Sequence, residues 1–232
     1  MKDLHLLRIP VNAPRLLRFA AEYGITQEDE TLGYTLHAWF GALFGDHAPK
    51  PFRYLERRNE VLAYATQESA TLLEHAQAFA APQAWAALHA TDVASKPMPA
   101  AWRTNQRVRL EVLTCPVSRK DSEEKDVYLR TLDRLADETP SRAQVYQDWF
   151  TRQWNGAVHF DQVELLGIST RSRLLRRARN GTNRLHIVER PQALFGADAV
   201  IIDAGRFFEL LTRGLGRHRA FGFGMVLLSP PR

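Results

Sequence analysis

Cysteine is almost absent: the 232 residues include one, Cys115. An intramolecular disulfide needs two cysteines and a structural zinc site usually several, so a disulfide scaffold and a cysteine-rich zinc module are both excluded. Long apolar runs are missing too, since none reaches the roughly 20 residues that cross a bilayer. The opening MKDLHLLRIP has neither the apolar stretch nor the cleavage site of a signal peptide. Together these absences predict a cytoplasmic protein with no membrane partner. There is no Walker phosphate loop, no HExxH and no cysteine-nucleophile signature, which removes the commonest nucleotide-hydrolysing, zinc-protease and thiol chemistries. Nor do carboxylates or cysteines cluster as metal ligands do, so neither a metal nor a cofactor is expected.

What remains is an ordinary globular composition, 45% hydrophobic and 25% charged. The length suits two domains of roughly 100 residues, each able to bury a core unaided. Net charge is a modest +5, but its placement is uneven. Between Ser169 and Arg190 lie seven arginines (171, 173, 176, 177, 179, 184 and 190), no lysine, and one acid, Glu189. That segment carries the whole excess of positive charge, and guanidinium groups bind phosphate oxygens in bidentate fashion, so it points to nucleic acid rather than to a solvated basic face.

Along the chain, LHLLRIPV reads as a strand. Asn12 then caps a helix PRLLRFAAEYG that Gly24 closes. Leu36, Phe40, Leu43 and Phe44 share one face of a second helix, GYTLHAWFGALF, with Asp29 or Thr31 as cap and Gly45 as stop. FRYLE and EVLAYA flank Arg57-Arg58-Asn59 as two strands about a tight turn, and SATLLEHAQAF is helical. The segment Ala80–Asp92 fits either a strand or a broken helix. Two prolines in Lys96-Pro97-Met98-Pro99 disfavour helix and central strand, and mark a boundary: residues 1–96 form one domain, 97–104 a linker and 105–232 a second domain. The second half opens on QRVRLEVLTCPV, whose Val108, Leu110 and Val112 alternate with charge as in a half-buried strand. EEKDVYLRTLDRLA and RAQVYQDWFTRQW read as helices, VELLGIS as a strand, and Asn180-Gly181 as a turn. The chain finishes as strand DAVII, a helix AGRFFELLTRG capped by Asp203, and strand FGMVLLS. Each half thus carries the β-α-β-β-α-β order, and the fold class expected is α+β with two tandem ferredoxin-like domains.

Three features could carry chemistry. Tyr34 and His37 are three apart on the second helix and so are neighbours on its surface; such a pair can pack at a core edge or handle protons. The loop Gly214-Leu-Gly-Arg-His-Arg-Ala-Phe-Gly-Phe-Gly224 runs from helix to strand, the reverse of a dinucleotide fingerprint. Its glycines, Gly214, Gly216, Gly222 and Gly224, could bring backbone amides to a polyanion beside Arg217, His218 and Arg219, or could simply form a tight turn. In the arginine segment, a helix would gather Arg173, Arg176 and Arg177 on one side, whereas a hairpin about Asn180-Gly181 would present arginines from both arms; Arg171, Arg179 and Arg184 complete the candidate set.

Tyr34-Thr-Leu-His37 on its helix, with the C-terminal GLGRHRAFGFGMVLLSP, resembles the CasE family of CRISPR repeat-processing endoribonucleases, part of the crRNA-maturation RAMP superfamily. The loop matches that family's GxGxxxAxGxG pattern from Gly214 to Gly224, with Ala220 in place and Arg219 at the basic position. HAPKPFRYLERRNEVLAYA is similar to members of the family as well, while residues from about Gln67 to Trp102 carry no resemblance. The resemblance implies tandem ferredoxin-like domains that bind the stem-loop of a CRISPR repeat and cut at its 3′ base without a metal, leaving a 2′,3′-cyclic phosphate. It implies catalysis by His37 with Tyr34, and other CRISPR effector-complex subunits as partners. The alternative is a non-catalytic ferredoxin-like RNA-binding module, which would keep the arginines and the loop but have no use for the Tyr34-His37 pair.

Overall fold

A computed structural model describes residues 3–25, 28–121, 123–135, 139–177 and 185–230. The chain divides into two compact units: residues 1–100 with 173–188 and 220–222, and residues 101–172 with 189–219 and 223–232.

In the first unit the elements run β1 (His5–Pro10), α1 (Ala13–Glu22), α2 (Gly33–Phe44), β2 (Phe52–Leu55), β3 (Glu60–Ala65), α3 (Ser69–Phe79), α4 (Pro82–Ala86) and β4 (Ala94–Pro97). The sheet order is β2-β3-β1-β4, with β1 antiparallel to both neighbours, which is the ferredoxin-like arrangement. Local chemistry sets the ends. The Asn12 side chain accepts the Arg15 amide to start α1, and Asn59, with φ at 47°, closes the turn between β2 and β3. Pro97 is tolerated because β4 lies at the sheet edge. Ala80–Asp92, ambiguous in sequence, is the short α4 followed by a 3-10 turn at Ala90–Asp92. The core joins Leu7 and Ile9 of β1 to Trp39, Phe40 and Leu43 of α2 and to Phe52 and Val61 from the other strands. Burying each such large side chain contributes on the order of 1.5–3 kcal/mol, and the Trp39 indole donates to the Ala84 carbonyl at 2.9 Å. Helix α2 is thereby held on one face, leaving its other flank for function.

The second unit is built from β5 (Arg107–Thr114), β6 (Val117–Lys120), β7 (Glu123–Asp126), α5 (Val127–Leu132), α6 (Arg142–Gln153), β8 (Val158–Arg177), β9 (Leu185–Ile201), α7 (Ala204–Arg213) and β10 (Val226–Ser229). Its sheet order, β10-β5-β9-β8, repeats the pattern of the first, so the chain has two tandem ferredoxin-like domains. As the alternation predicts, Val108, Leu110 and Val112 face inward. The Asp203 side chain accepts the Arg206 amide to cap α7.

One expectation needs correction. Glu123–Asp126, expected as the start of a helix, is a strand paired antiparallel with Val117–Lys120; the helix begins only at Val127, where the Asp126 side chain caps it by accepting the Tyr128 amide. Of the two shapes open for the arginine segment, the described residues form strands and no helix: β8 extends to Arg177 and β9 resumes at Leu185. The Asn180-Gly181 turn, Arg179 and Arg184 lie outside the described residues.

Candidate active site

Helix α2 begins unusually. Leu32 at its cap is left-handed (φ 52°) and offers no side-chain acceptor. The work falls to the two predicted caps: Asp29 accepts the Thr35 amide at 2.8 Å, and Thr31 accepts the Gly33 amide at 3.3 Å. Asp29 is buried, so this first turn is firmly placed, and it carries Tyr34 and His37. Glycine is required at 33 because a Cβ there would sit 2.5 Å from the Phe221 carbonyl oxygen.

Phe221 is the residue that sequence inspection missed. It lies in the 3-10 turn Arg219–Phe221 of the glycine loop and meets both candidate catalytic rings. Its ring stacks on Tyr34 with centroids 6.1 Å apart and meets His37 edge-on at 5.5 Å, while Tyr34 and His37 are 6.2 Å apart. Tyr34 is buried in a small cluster with Ala20, Ile25 and Leu175, against which Leu185 and Phe221 pack. His37, by contrast, is exposed.

The histidine is tuned toward its neutral form. Desolvation of its protein-facing side lowers its pKa from the ordinary 6.5, and the positive charges of Lys50 and then Arg177 lower it further. Because solvent screens an exposed ring, these influences set a direction, toward neutral imidazole at pH 7. In a titration of the free protein followed by NMR, His37 should therefore change charge below pH 6.5. Arg177→Met and Lys50→Met should each move the midpoint upward, since removing a neighbouring cation favours the imidazolium. A midpoint at or above 6.5 in the wild type would contradict this electrostatic setting.

The remaining candidate residues separate into two groups. Arg171, Arg173 and Arg177 are exposed along β8, and Arg176 is half-buried. Arg171 lies 4.0 Å from Glu189, and Arg173 is held by Glu30, which accepts its backbone amide at 2.9 Å and lies 3.7 Å from its guanidinium. Leu174 and Leu175 between them are buried, so the strand is anchored by leucines and displays arginines. In the glycine loop, Arg217 and His218 do not behave as free cations. Both donate to Glu124, from Arg217 Nε at 2.5 Å and His218 Nε2 at 2.7 Å, and Arg190 Nε adds a third donor at 2.7 Å. The Glu124 side chain is 6% exposed, and these donors hold its carboxyl far below the usual carboxylate range against the opposing effect of burial. Arg217 Nε and His218 Nε2 are thereby committed to Glu124, while the Arg217 side chain as a whole is 39% exposed. Arg219 donates to the Arg213 carbonyl at 3.1 Å and has no acidic partner among the described residues.

The loop glycines meet the local demands of a turn, and two of their amides are committed within the protein. Gly214, Gly216, Gly222 and Gly224 all have positive φ, which is the demand of a tight turn. The Gly214 amide is spent on the Leu210 carbonyl at the end of α7, and the Gly224 amide on the Leu113 carbonyl of β5. Gly216 and Gly222 answer packing: a Cβ on Gly216 would meet the Trp149 ring at 3.2 Å, and one on Gly222, where φ is 86°, would press on the buried Phe52 ring at 3.4 Å. A Cβ on Gly224 would collide with the Leu215 backbone. Cys115 is buried and its thiol pKa is pushed up, chiefly by burial, so it is no nucleophile.

Residues 4–230 match the model of a family described as CRISPR associated protein. No curated protein matches the chain in sequence. Among solved structures, Thermus thermophilus Cse3 bound to an RNA representing a pre-cleavage complex is similar to it with a TM-score of 0.64 and 16% identity, covering 98% of this chain and 100% of that one. Cas6e from Escherichia coli K-12 is similar with a TM-score of 0.59 and 14% identity, covering 97% and 99%. A chain of a CRISPR RNA-guided surveillance complex is similar with a TM-score of 0.55 and 16% identity, covering 97% and 98%.

Proposed function

The chain belongs to the CRISPR-associated protein family, and from that premise we propose that it is an endoribonuclease that binds the stem-loop of CRISPR repeats and cuts at the 3′ base of the stem. The observation that carries this reading is the cluster of Tyr34, His37 and Phe221 beside the charges of Lys50 and Arg177. A neutral imidazole can accept the proton of a ribose 2′-hydroxyl as its oxygen attacks the adjacent phosphorus. The P–O5′ bond then breaks and the departing 5′-oxygen takes up a proton, the imidazolium releasing the one it gained directly or through water, which leaves a 2′,3′-cyclic phosphate on one fragment and a 5′-hydroxyl on the other. The cations that keep His37 neutral also favour the negative charge that builds on the phosphate in the transition state. The Tyr34 hydroxyl can orient one of the reacting oxygens, its ring being fixed by Phe221 and Leu175. The chemistry asks nothing of a metal, because the nucleophile belongs to the substrate.

The relatives' descriptions support the same reading: one is an endoribonuclease bound to RNA and another is part of an RNA-guided surveillance complex. We assign this chain the corresponding place, a processing subunit that keeps its crRNA and joins other effector subunits in the cytoplasm. Among the described residues no helix is long and apolar enough to cross a membrane.

Substrate chemistry tests the mechanism. A repeat RNA carrying one 2′-deoxyribose 5′ of the scissile phosphate should bind and stay uncut; cleavage of that RNA at the normal rate would rule out 2′-hydroxyl attack. Binding is tested through salt. Replacing Arg173, Arg176 and Arg177 together should weaken RNA binding and reduce the log-log salt slope by about 0.7–0.9 for each phosphate that is no longer neutralised. An unchanged slope would show that β8 displays these arginines to solvent alone.

A further inference from the structure

In the second unit a cavity of about 440 Å³ opens between β6, α5, α6 and the glycine loop. Five arginines line it, Arg119, Arg130, Arg134, Arg152 and Arg217, and among the described residues no acidic side chain does. Arg217 is neutralised by Glu124. Among the described residues the one acid near Arg130 is Glu123 at 4.0 Å, and its Nε and Nη2 are buried with no hydrogen-bond acceptor there. The hydroxyl of Ser118, on the same wall, is also buried without a partner. Arg119, Arg134 and Arg152 make no side-chain ion pair or hydrogen bond among the described residues.

Like charges gathered around a concavity repel one another, and buried donors left unpaired are costly. Both penalties vanish if an anion fills the space. A single carboxylate would leave most of this charge uncompensated, whereas a phosphate group bearing two or more negative charges, or two adjacent phosphates, accepts from several guanidiniums at once. We propose that this cavity is a binding site for a multiply charged phosphate group, held chiefly by Arg130, Arg134 and Arg152 with the Ser118 hydroxyl as a further donor. All its lining residues belong to the second unit, and none is a candidate catalytic residue. It therefore stands whether or not the chain cleaves RNA. Two sources share the chemistry: consecutive phosphates of an RNA strand, and a free nucleoside di- or triphosphate.

The test uses the full chain and inorganic pyrophosphate, with sodium chloride at matched ionic strength as control. Pyrophosphate should bind saturably by calorimetry and raise the melting temperature beyond the chloride control. Arg134→Gln/Arg152→Gln should weaken binding at least tenfold, and so should Arg130→Gln. Because the Arg130 substitution alters a buried side chain, the Arg134/Arg152 pair is the decisive variant. Competition then separates the sources. Displacement by a single-stranded RNA oligonucleotide assigns the site to a strand's phosphates, displacement by ADP but not by RNA assigns it to a free nucleotide, and either supports the proposal. It is overturned if pyrophosphate does no more than chloride, if Arg134→Gln/Arg152→Gln binds as tightly as the wild type, or if polyglutamate displaces the probe better than both RNA and ADP.

Discussion

His37→Ala should bind repeat RNA with nearly wild-type affinity and cleave it about 10²- to 10⁴-fold more slowly under single-turnover conditions, the range for removal of a general acid or base. Binding should survive because the phosphate contacts proposed here belong to the arginines of β8, and the fold should survive because His37 is exposed while the core of α2 rests on Leu36, Trp39 and Phe40. Tyr34→Phe should cost less than the histidine change: the ring that Phe221 stacks upon is kept and only the hydroxyl goes. If His37→Ala cuts at the wild-type rate, the ring cluster is structural. His218 cannot simply take over, since its Nε2 is committed to Glu124.

Glu124→Gln should be the most damaging change for stability. It leaves Arg190, Arg217 and His218 facing one another without their common counter-charge. Breaking a buried ion pair from one side costs about 3–5 kcal/mol, and the lower end applies because the Arg217 side chain is 39% exposed and can keep its water. For a chain of this size about 3 kcal/mol lowers the melting temperature by roughly 6–12 °C. The pH dependence identifies the cause. A carboxyl whose pKa is depressed in the folded state adds stability above its unfolded value, near 4, and loses it as the pH falls toward the folded value. The gap between wild type and Glu124→Gln should thus be full at pH 7 and narrow progressively below pH 4. A gap that is constant with pH would assign the destabilisation to shape rather than charge.

Much of the architecture is written in local signals. Asn12 and Asp203 cap the helices they precede, and Gly45 ends α2 with a positive φ of 54°. The inward positions of β5 alternate as its side chains do. Helical spacing makes Tyr34 and His37 neighbours and the family resemblance supplies the role proposed for them; the structure sets both rings beside Phe221. The failures share a different origin. Glu123–Asp126 has no apolar alternation to announce a strand, and hydropathy places Glu124 in solvent, whereas three donors distant in sequence compensate its burial. For the same reason the Glu124 contacts of Arg217 and His218 escape the sequence: a carboxylate 93 and 94 residues away is invisible to composition. Phe221 sits within a recognised motif, but its role depends on a contact with α2 that no local pattern encodes.

That contact bears on the order in which the protein is made. Tyr34 and His37 leave the ribosome long before Phe221, which completes their setting. The β8 and β9 segments that pack on Tyr34 through Leu175 and Leu185 also follow much later. A nascent chain can therefore hold both candidate side chains and still lack the surroundings that orient them. The proposed catalytic cluster is complete only once the glycine loop has emerged.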